Sequence, residues 1–139
     1  MISFRALPIL LVATSTFIVA GCSTFNATSR KSEAFQPFFN RFFTEPEFQK
    51  SRVSFPVAVY TSSPDGDNFS RMPVGEWRQI YTIPSDTLIQ GVRYKREIKK
   101  NGNTMQQRVY IPNSGFQHTC TFAQQHGKWY LVRMEESSY

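Results

Sequence analysis

Two residues in this sequence have the types and spacing for nucleophilic chemistry. His118 and Cys120 lie two positions apart in a stretch that reads as a strand. Side chains at i and i+2 of a strand point to one face, and an imidazole beside a thiol can generate a thiolate nucleophile. Along such a strand the two stand roughly 6 to 7 Å apart, long for a direct hydrogen bond. Flanked by Thr119 and Thr121, Cys120 also suits a small buried strand residue. Two ligands are too few for a structural zinc site. His126 precedes Gly127 in an expected turn and reads as solvated. Asp65-Gly66-Asp67 hints at calcium, but the later carboxylates of a full site are missing, so an Asx-rich turn is expected. There is no Gly-rich phosphate loop and no serine in a nucleophile-elbow setting. Neither a metal nor a cofactor is expected.

The other cysteine carries a different chemistry. Arg5 is the only charge before residue 30, and Ala6 to Ala20 is an apolar block too short for a stable span, which needs about 20 apolar residues. Thr14, Ser15 and Thr16 weaken it further as a span. It ends in Val19-Ala20-Gly21-Cys22, which resembles the bacterial lipobox. Small residues admit the backbone to a peptidase cleft, and the thiol accepts a diacylglyceryl group as a thioether. Residues 1–21 therefore read as a lipoprotein signal peptide and Cys22 as the lipidated first residue of the mature chain. Two or more acyl chains anchor stably where one does not. Ser23 is not aspartate, which under the sorting rule of Gram-negative lipoproteins favours the outer membrane. No acidic cluster follows, which favours its periplasmic face.

Export bounds the partners. Sixteen basic residues stand against ten acidic ones in the whole chain, for a net charge of +6. In a cytoplasmic protein such a balance would suggest nucleic acid; export puts that partner out of reach and leaves anionic headgroups, an acidic glycan or an acidic protein. The basic residues concentrate in one run, where Arg93, Lys95 and Lys99 alternate onto one strand face, with Arg96 and Lys100 adjacent. Such a face is either a solvated surface or an electropositive patch that steers an acidic partner. With Cys22 lipidated, Cys120 has no cysteine to pair with.

These residues need a scaffold. Residues 22–33 are polar and aperiodic and read as a flexible tether, about 20 Å in mean span and at most about 40 Å extended. Residues 34–139 suffice for one domain. Phe35, Phe38, Phe39, Phe42 and Phe43 form the apolar stripe of an amphipathic helix. Thr44-Glu45-Pro46-Glu47 reads as a capping box opening a second short helix that carries Phe48 inward and ends near Ser51. Period-2 patterns follow. Strands are expected at 53–60, with Pro56 at an edge or at the strand's start, and at 77–83, 88–98 and 104–111. The segment 62–68 reads as a loop. Asn101-Gly102 predicts a hairpin, and a last hairpin pairs 116–125 with 128–135 across His126-Gly127. Phe116, His118, Cys120 and Phe122 should share one face, and Trp129, Leu131 and Arg133 another. Helices followed by antiparallel strands give an α+β domain, its N-terminal helices packed on a curved antiparallel sheet.

The run Phe38-Phe39-Asn40-Arg41-Phe42-Phe43-Thr44-Glu45-Pro46-Glu47-Phe48, continuing through Gln49-Lys50-Ser51-Arg52-Val53-Ser54-Phe55-Pro56, resembles a family of lipoproteins from Bacteroidetes known as a domain of unknown function. Gly127-Lys128-Trp129-Tyr130-Leu131 is similar to the same family's close. The resemblance implies a nuclear-transport-factor-2-like cone, with helices cradled by a strongly bent sheet around a pocket. It brings no catalytic residues.

The sequence thus points to a membrane-anchored, non-enzymatic binding module of the cell envelope, working through the cone pocket or the basic face. Two alternatives are a small-molecule-processing enzyme with His118 near the pocket and a periplasmic immunity-type lipoprotein.

Overall fold

The computed structural model describes residues 31–139. The signal peptide, Cys22 and most of the tether lie outside the described residues. Two helices come first, α1 at Phe35–Thr44 and α2 at Pro46–Ser51. Seven strands follow: β1 Val53–Ser63, β2 Gly66–Met72, β3 Asp86–Ile89, β4 Val92–Asn101, β5 Thr104–Tyr110, β6 Gln117–Gln125 and β7 Lys128–Ser137. They form one curved sheet in the order β2-β1-β7-β6-β5-β4-β3. Every pair is antiparallel except β1 with β7, which is parallel, so the expected all-antiparallel sheet is corrected at this pair. The long excursion through β2–β6 carries the chain back to lay β7 alongside β1.

The Phe stripe forms the helix expected of it. Phe38, Phe39, Phe42 and Phe43 are buried, and Phe35 is half-buried beside them. Ala34 supplies no capping side chain, so α1 draws its stability from packing, as short helices generally do. The partner is Phe122 on β6. Its ring meets Phe35, Phe38, Phe39, Phe42 and Phe43 edge-on, with centroids 5.2 to 6.4 Å apart. Edge-to-face pairs contribute about 0.5–1.5 kcal/mol each beyond area burial.

Thr44 is not a cap. It is the last residue of α1, and its hydroxyl donates to the Asn40 carbonyl at 2.8 Å. Glu45 takes the cap position of α2 without a side-chain bond, pairing instead with Arg41 at 2.8 Å. Phe48 is half-buried under the guanidinium groups of Arg41 and Arg52. The fully buried residue of α2 is Gln49. Its Nε2 donates to the carbonyls of Phe42 and Ile80, and its Oε1 accepts from the Ile80 N–H, each at 2.9 Å.

That side chain explains why 77–83 is no strand. A 3-10 turn at Val74–Glu76 is followed by irregular chain. Ile80 spends both backbone groups on Gln49 rather than on a neighbouring strand. Four further corrections apply. The segment 62–68 is a hairpin turn whose outgoing arm is the start of β2. The expected strand 88–98 is broken at Gln90 and Gly91, both with positive φ (49° and 81°), so Ile89 and Val92 face each other across a tight turn between β3 and β4. The expected face of β7 is split as well. Phe122 pairs with Leu131 while Thr121 pairs with Arg133, leaving Val132 as the extra residue of a bulge. The bulge turns Leu131 and Met134 inward together and sends Arg133 to the opposite face. Pro56 is neither in an edge strand nor at the strand's start as expected: it is the fourth residue of β1, which lies between β2 and β7. It is accommodated where the β1–β7 register is interrupted, just before pairing with β2 begins.

The domain's contacts begin before residue 34. The Glu33 N–H donates to the Gly127 carbonyl at 2.8 Å, and the Glu33 carbonyl accepts from Trp129 Nε1 at 2.9 Å. Its carboxylate takes both terminal nitrogens of Arg52 and the Trp129 N–H. Burial alone would raise this carboxyl, but the hydrogen bonds from Arg52 and Trp129 and the positive charges of Arg52 and Lys128 bring it below its ordinary value of 4.5. Ser32 and Glu33, expected in the tether, are thus docked on the β6–β7 hairpin.

Phe122→Ala should cost about 3–5 kcal/mol, a value set by the cavity it leaves, and Gln49→Leu about 2–4 kcal/mol by stranding buried backbone groups at Phe42 and Ile80. Urea unfolding midpoints check both. A Gln49→Leu chain as stable as the parent would show that the pinning of 77–83 is incidental.

Candidate functional site

The face of the sheet under the helices is closed by packing. Phe122, Cys120, Leu131, Met134, Val53 and Val57 fill it from the strands, and the Phe residues of α1 fill it from above. His118 and Cys120 both lie on this inner side. The structure brings Cys120 Sγ to 4.0 Å from His118 Nδ1, closer than ideal strand spacing suggests. The pair is nonetheless poorly placed for thiolate chemistry. Complete burial pushes the Cys120 thiol up to about 12, so it stays protonated. Burial also lowers the pKa of His118 against the pull of Glu136, which faces it across the β6–β7 pair. With its thiol buried and protonated, the pair offers no thiolate at neutral pH. His118 also lines neither the hollows around Arg108 nor the cavity beside Trp129.

The opposite face is open and polar. By register, Lys95, Glu97 and Lys99 of β4, Gln106, Arg108 and Tyr110 of β5, and Gln117 and Thr119 of β6 share it. Arg133 and Glu135 of β7 join them through the bulge. The expected patch of Arg93, Lys95 and Lys99 lies here, partly neutralised. Arg93 pairs with Asp86 at 3.3 Å, and Lys99 pairs with Glu97 at 2.8 Å. Lys95 has no ion pair among the described residues. Arg133 is held by Glu135 at 2.6 Å and lies over the Tyr60 ring.

Arg108, outside the run read from sequence, proves to be the central cation. Its Nε donates to Gln117 Oε1 at 2.9 Å, and its guanidinium lies over the Tyr110 ring, 4.5 Å from the centroid. These two contacts hold the fork while its terminal nitrogens make no hydrogen bond among the described residues. Tyr110 is itself fixed, its hydroxyl donating to Glu97 Oε1 at 3.0 Å. The Lys99 and Tyr110 hydrogen bonds lower the Glu97 carboxyl, and the bond to Glu97 raises the Tyr110 phenol. Lys95 stands directly opposite Tyr110 across the β4–β5 pair. One cation therefore flanks the phenol from its own strand and another from the neighbouring strand.

Two hollows meet at Arg108. One, of about 380 Å³, runs past Tyr110, Asn113, Phe116, Gln117 and Ser137. The other, of about 280 Å³, is bounded by Glu97, Lys99, Gln106, Thr119 and Glu135. Together they have the size of a small-ligand site. A preset guanidinium with its terminal nitrogens exposed is suited to two parallel bonds to a carboxylate. The alternation Gln106, Arg108, Tyr110 carries this signal in the sequence, but it is legible only once β4 is known to lie alongside.

Asp65 lies in the β1–β2 turn and Asp67 just after it in β2, where it accepts from the Ser62 hydroxyl. No cluster of three His, Cys, Asp or Glu able to hold a metal occurs among the described residues.

The state of the inner pair has measurable consequences. Below 6.5 the unfolded chain binds a proton at His118 that the folded chain, with its lowered pKa, does not. The His118 contribution to stability is therefore complete above that pH and declines as pH falls through the window beneath it. Urea midpoints measured against pH should show this slope in the parent and not in His118→Gln; an unchanged slope would place the acid sensitivity elsewhere. Cys120 should resist iodoacetamide at mildly alkaline pH until the chain is unfolded, and rapid alkylation of the native protein would contradict the buried thiol.

Residues 13–136 match the family described as Domain of unknown function (DUF4348). No curated protein matches. Among solved structures, the chain is similar to an NTF2-like protein from Bacteroides fragilis, with 18% identity and a TM-score of 0.55 over 78% of this chain and 48% of that one. It is also similar to a protein from Bacteroides uniformis, with 21% identity and a TM-score of 0.56 over 75% and 76% of the two chains. The chain thus spans about half the length of the Bacteroides fragilis protein. These likenesses show the nuclear-transport-factor-2-like fold expected from the family resemblance.

Proposed function

We propose that this chain, which belongs to the DUF4348 family, is a lipid-anchored, non-enzymatic binding module of the cell envelope that takes a carboxylate-bearing ligand on the outer face of its sheet. The observation that carries the reading is the Arg108 guanidinium, fixed by Gln117 and Tyr110 with its terminal nitrogens free at the junction of two hollows. The aromatic-filled inner face and the protonated Cys120 thiol weigh against the enzymatic alternative. The Cys120 thiol is buried, and neither it nor His118 lines the hollows a substrate could enter.

The anchor is the lipid on Cys22. The lipobox-like Val19-Ala20-Gly21-Cys22 and the apolar block before it support that assignment; Ser23 supports outer-membrane delivery, and the lack of an acidic cluster after Cys22 supports the periplasmic face. In that compartment the ligand is an acidic glycan: Arg108 takes its carboxylate, and Phe116, lining the same hollow, supplies an aromatic ring for the sugar to pack against.

Two measurements test the proposal. Cells fed a palmitate analogue should label the parent and not Cys22→Ala; label retained by the variant would refute the anchor. Titration with trigalacturonate should show binding that Arg108→Gln weakens about tenfold or more, the loss of a charge-assisted pair, while Arg78→Gln leaves it intact. Equal affinity in parent and Arg108→Gln would refute the site, and preference for a Glu-rich peptide would replace the glycan with an acidic protein.

A further inference from the structure

The chain enters the domain at one end of the sheet. The Ser32 hydroxyl donates to Gln124 Oε1 at 2.7 Å, and Glu33 is clamped by Gly127, Trp129 and Arg52. Register gathers two turns at this end. Gln125 faces Lys128, Ala123 faces Thr104, and Thr104 faces Asn101. The β3–β4 turn lies at the opposite end, where β4 begins alongside the last residues of β5.

The entry end is basic. Lys31, Lys100 and Lys128 are exposed there, and none has an ion pair among the described residues. The one nearby acid on the entering chain, Glu33, is already taken by Arg52. Between the two turns, on the helix side, lies a cavity of about 470 Å³ lined by Lys100, Asn103, Met105, Gln124 and Trp129. The indole packs edge-on to Phe35 with centroids 5.2 Å apart, and its N–H goes to the Glu33 carbonyl. An apolar ring with one polar edge is the side chain that settles at a membrane–water interface.

The length of the connection decides what this end meets. If Cys22 carries the lipid, as proposed above and on which this inference rests, residues 22–31 join the membrane to the Ser32 clamp. Ten residues reach at most about 35 Å even when fully extended. A ten-residue strand such as β4 is itself about 33 Å long. The entry end can rest on the bilayer without stretching the connection, whereas laying the far end there would draw it almost to its limit.

We propose that the entry end docks on the anionic headgroup layer of the anchoring membrane. Lys31, Lys100 and Lys128 face that layer, and the cavity beside Trp129 receives a headgroup phosphate. Basic residues next to a membrane anchor are drawn to anionic lipid over roughly a Debye length, about 10 Å. The docking holds the domain in one orientation and leaves Arg108 and Tyr110, towards the other end of β5, turned away from the bilayer.

The test uses the lipidated full-length protein with Trp77→Phe, so that Trp129 is the single indole of a chain that has two tryptophans. The protein is reconstituted on vesicles of phosphatidylcholine alone or mixed with phosphatidylglycerol, each carrying a lipid spin-labelled at its headgroup. Trp129 fluorescence should be quenched severalfold more on the anionic vesicles. That excess should disappear in Lys100→Glu/Lys128→Glu while the protein still floats with both vesicle types. Equal quenching on the two compositions, or quenching that survives the charge reversal, overturns the docking and leaves the anchor standing. Protein that floats with neither vesicle refutes the anchor and the docking together. Inorganic phosphate that shifts Trp129 emission, with no difference between vesicles, assigns the cavity to a soluble anion and overturns the membrane contact.

Discussion

Everything on the inner side of the sheet depends on one ring. Phe122 stands at the centre of β6 and receives five phenylalanines of α1 edge-on. The helix has no capping side chain and is only ten residues long, below the length at which a helix persists alone. Its register against the sheet is therefore the register of those rings around Phe122. Gln49 and Glu33 then tie the flanks. Gln49 fastens the chain around Ile80 to the helices, and Glu33 fastens the entering chain to β7 through Arg52 and Trp129.

Filling the inner face this way leaves little open space beneath the helices. A bent sheet with helices in its bowl can keep a pocket there, but here large aromatic side chains occupy it. Two titratable groups on that side, His118 and Cys120, are pushed towards their neutral forms by burial. The open charges lie on the outer face, where a bulge at Val132 adds Arg133 and Glu135 to the row of charges on β4 and β5. Most of those charges cancel in pairs. Arg108 does not, and it is rigid because Gln117 and Tyr110 hold it from two directions.

Several elements are legible in the amino-acid chain alone. The Phe stripe predicts α1, Asn101-Gly102 and His126-Gly127 predict their hairpins, and strand alternation places His118, Cys120 and Phe122 together on the inner side of β6. Other elements are hidden for definite reasons. Gly66 to Met72 is almost wholly exposed, so it has no alternation to announce β2. The apolar alternation from Trp77 to Ile83 mimics a strand, and a single buried glutamine from α2 prevents one. Gln90-Gly91 breaks an apparently continuous strand through backbone conformation, which leaves little trace in a hydrophobic pattern. Thr44 looks like a helix cap because its neighbours fit the motif, but the preceding helix runs one residue too far.

The sequence by itself determined the class of the domain, the helix that fills it and the family to which it belongs, since these rest on local periodicity and on short motifs. It also located a run of basic residues on β4. Which cations of that face remain unpaired was decided only by the tertiary structure. Asp86 reaches Arg93 across a hairpin and Glu97 pairs with Lys99, while Gln117 on a third strand orients Arg108 without neutralising it. Charge in a sequence is a sum, but charge at a site is what pairing within and across strands leaves over, and the cross-strand partners come together only when the sheet forms.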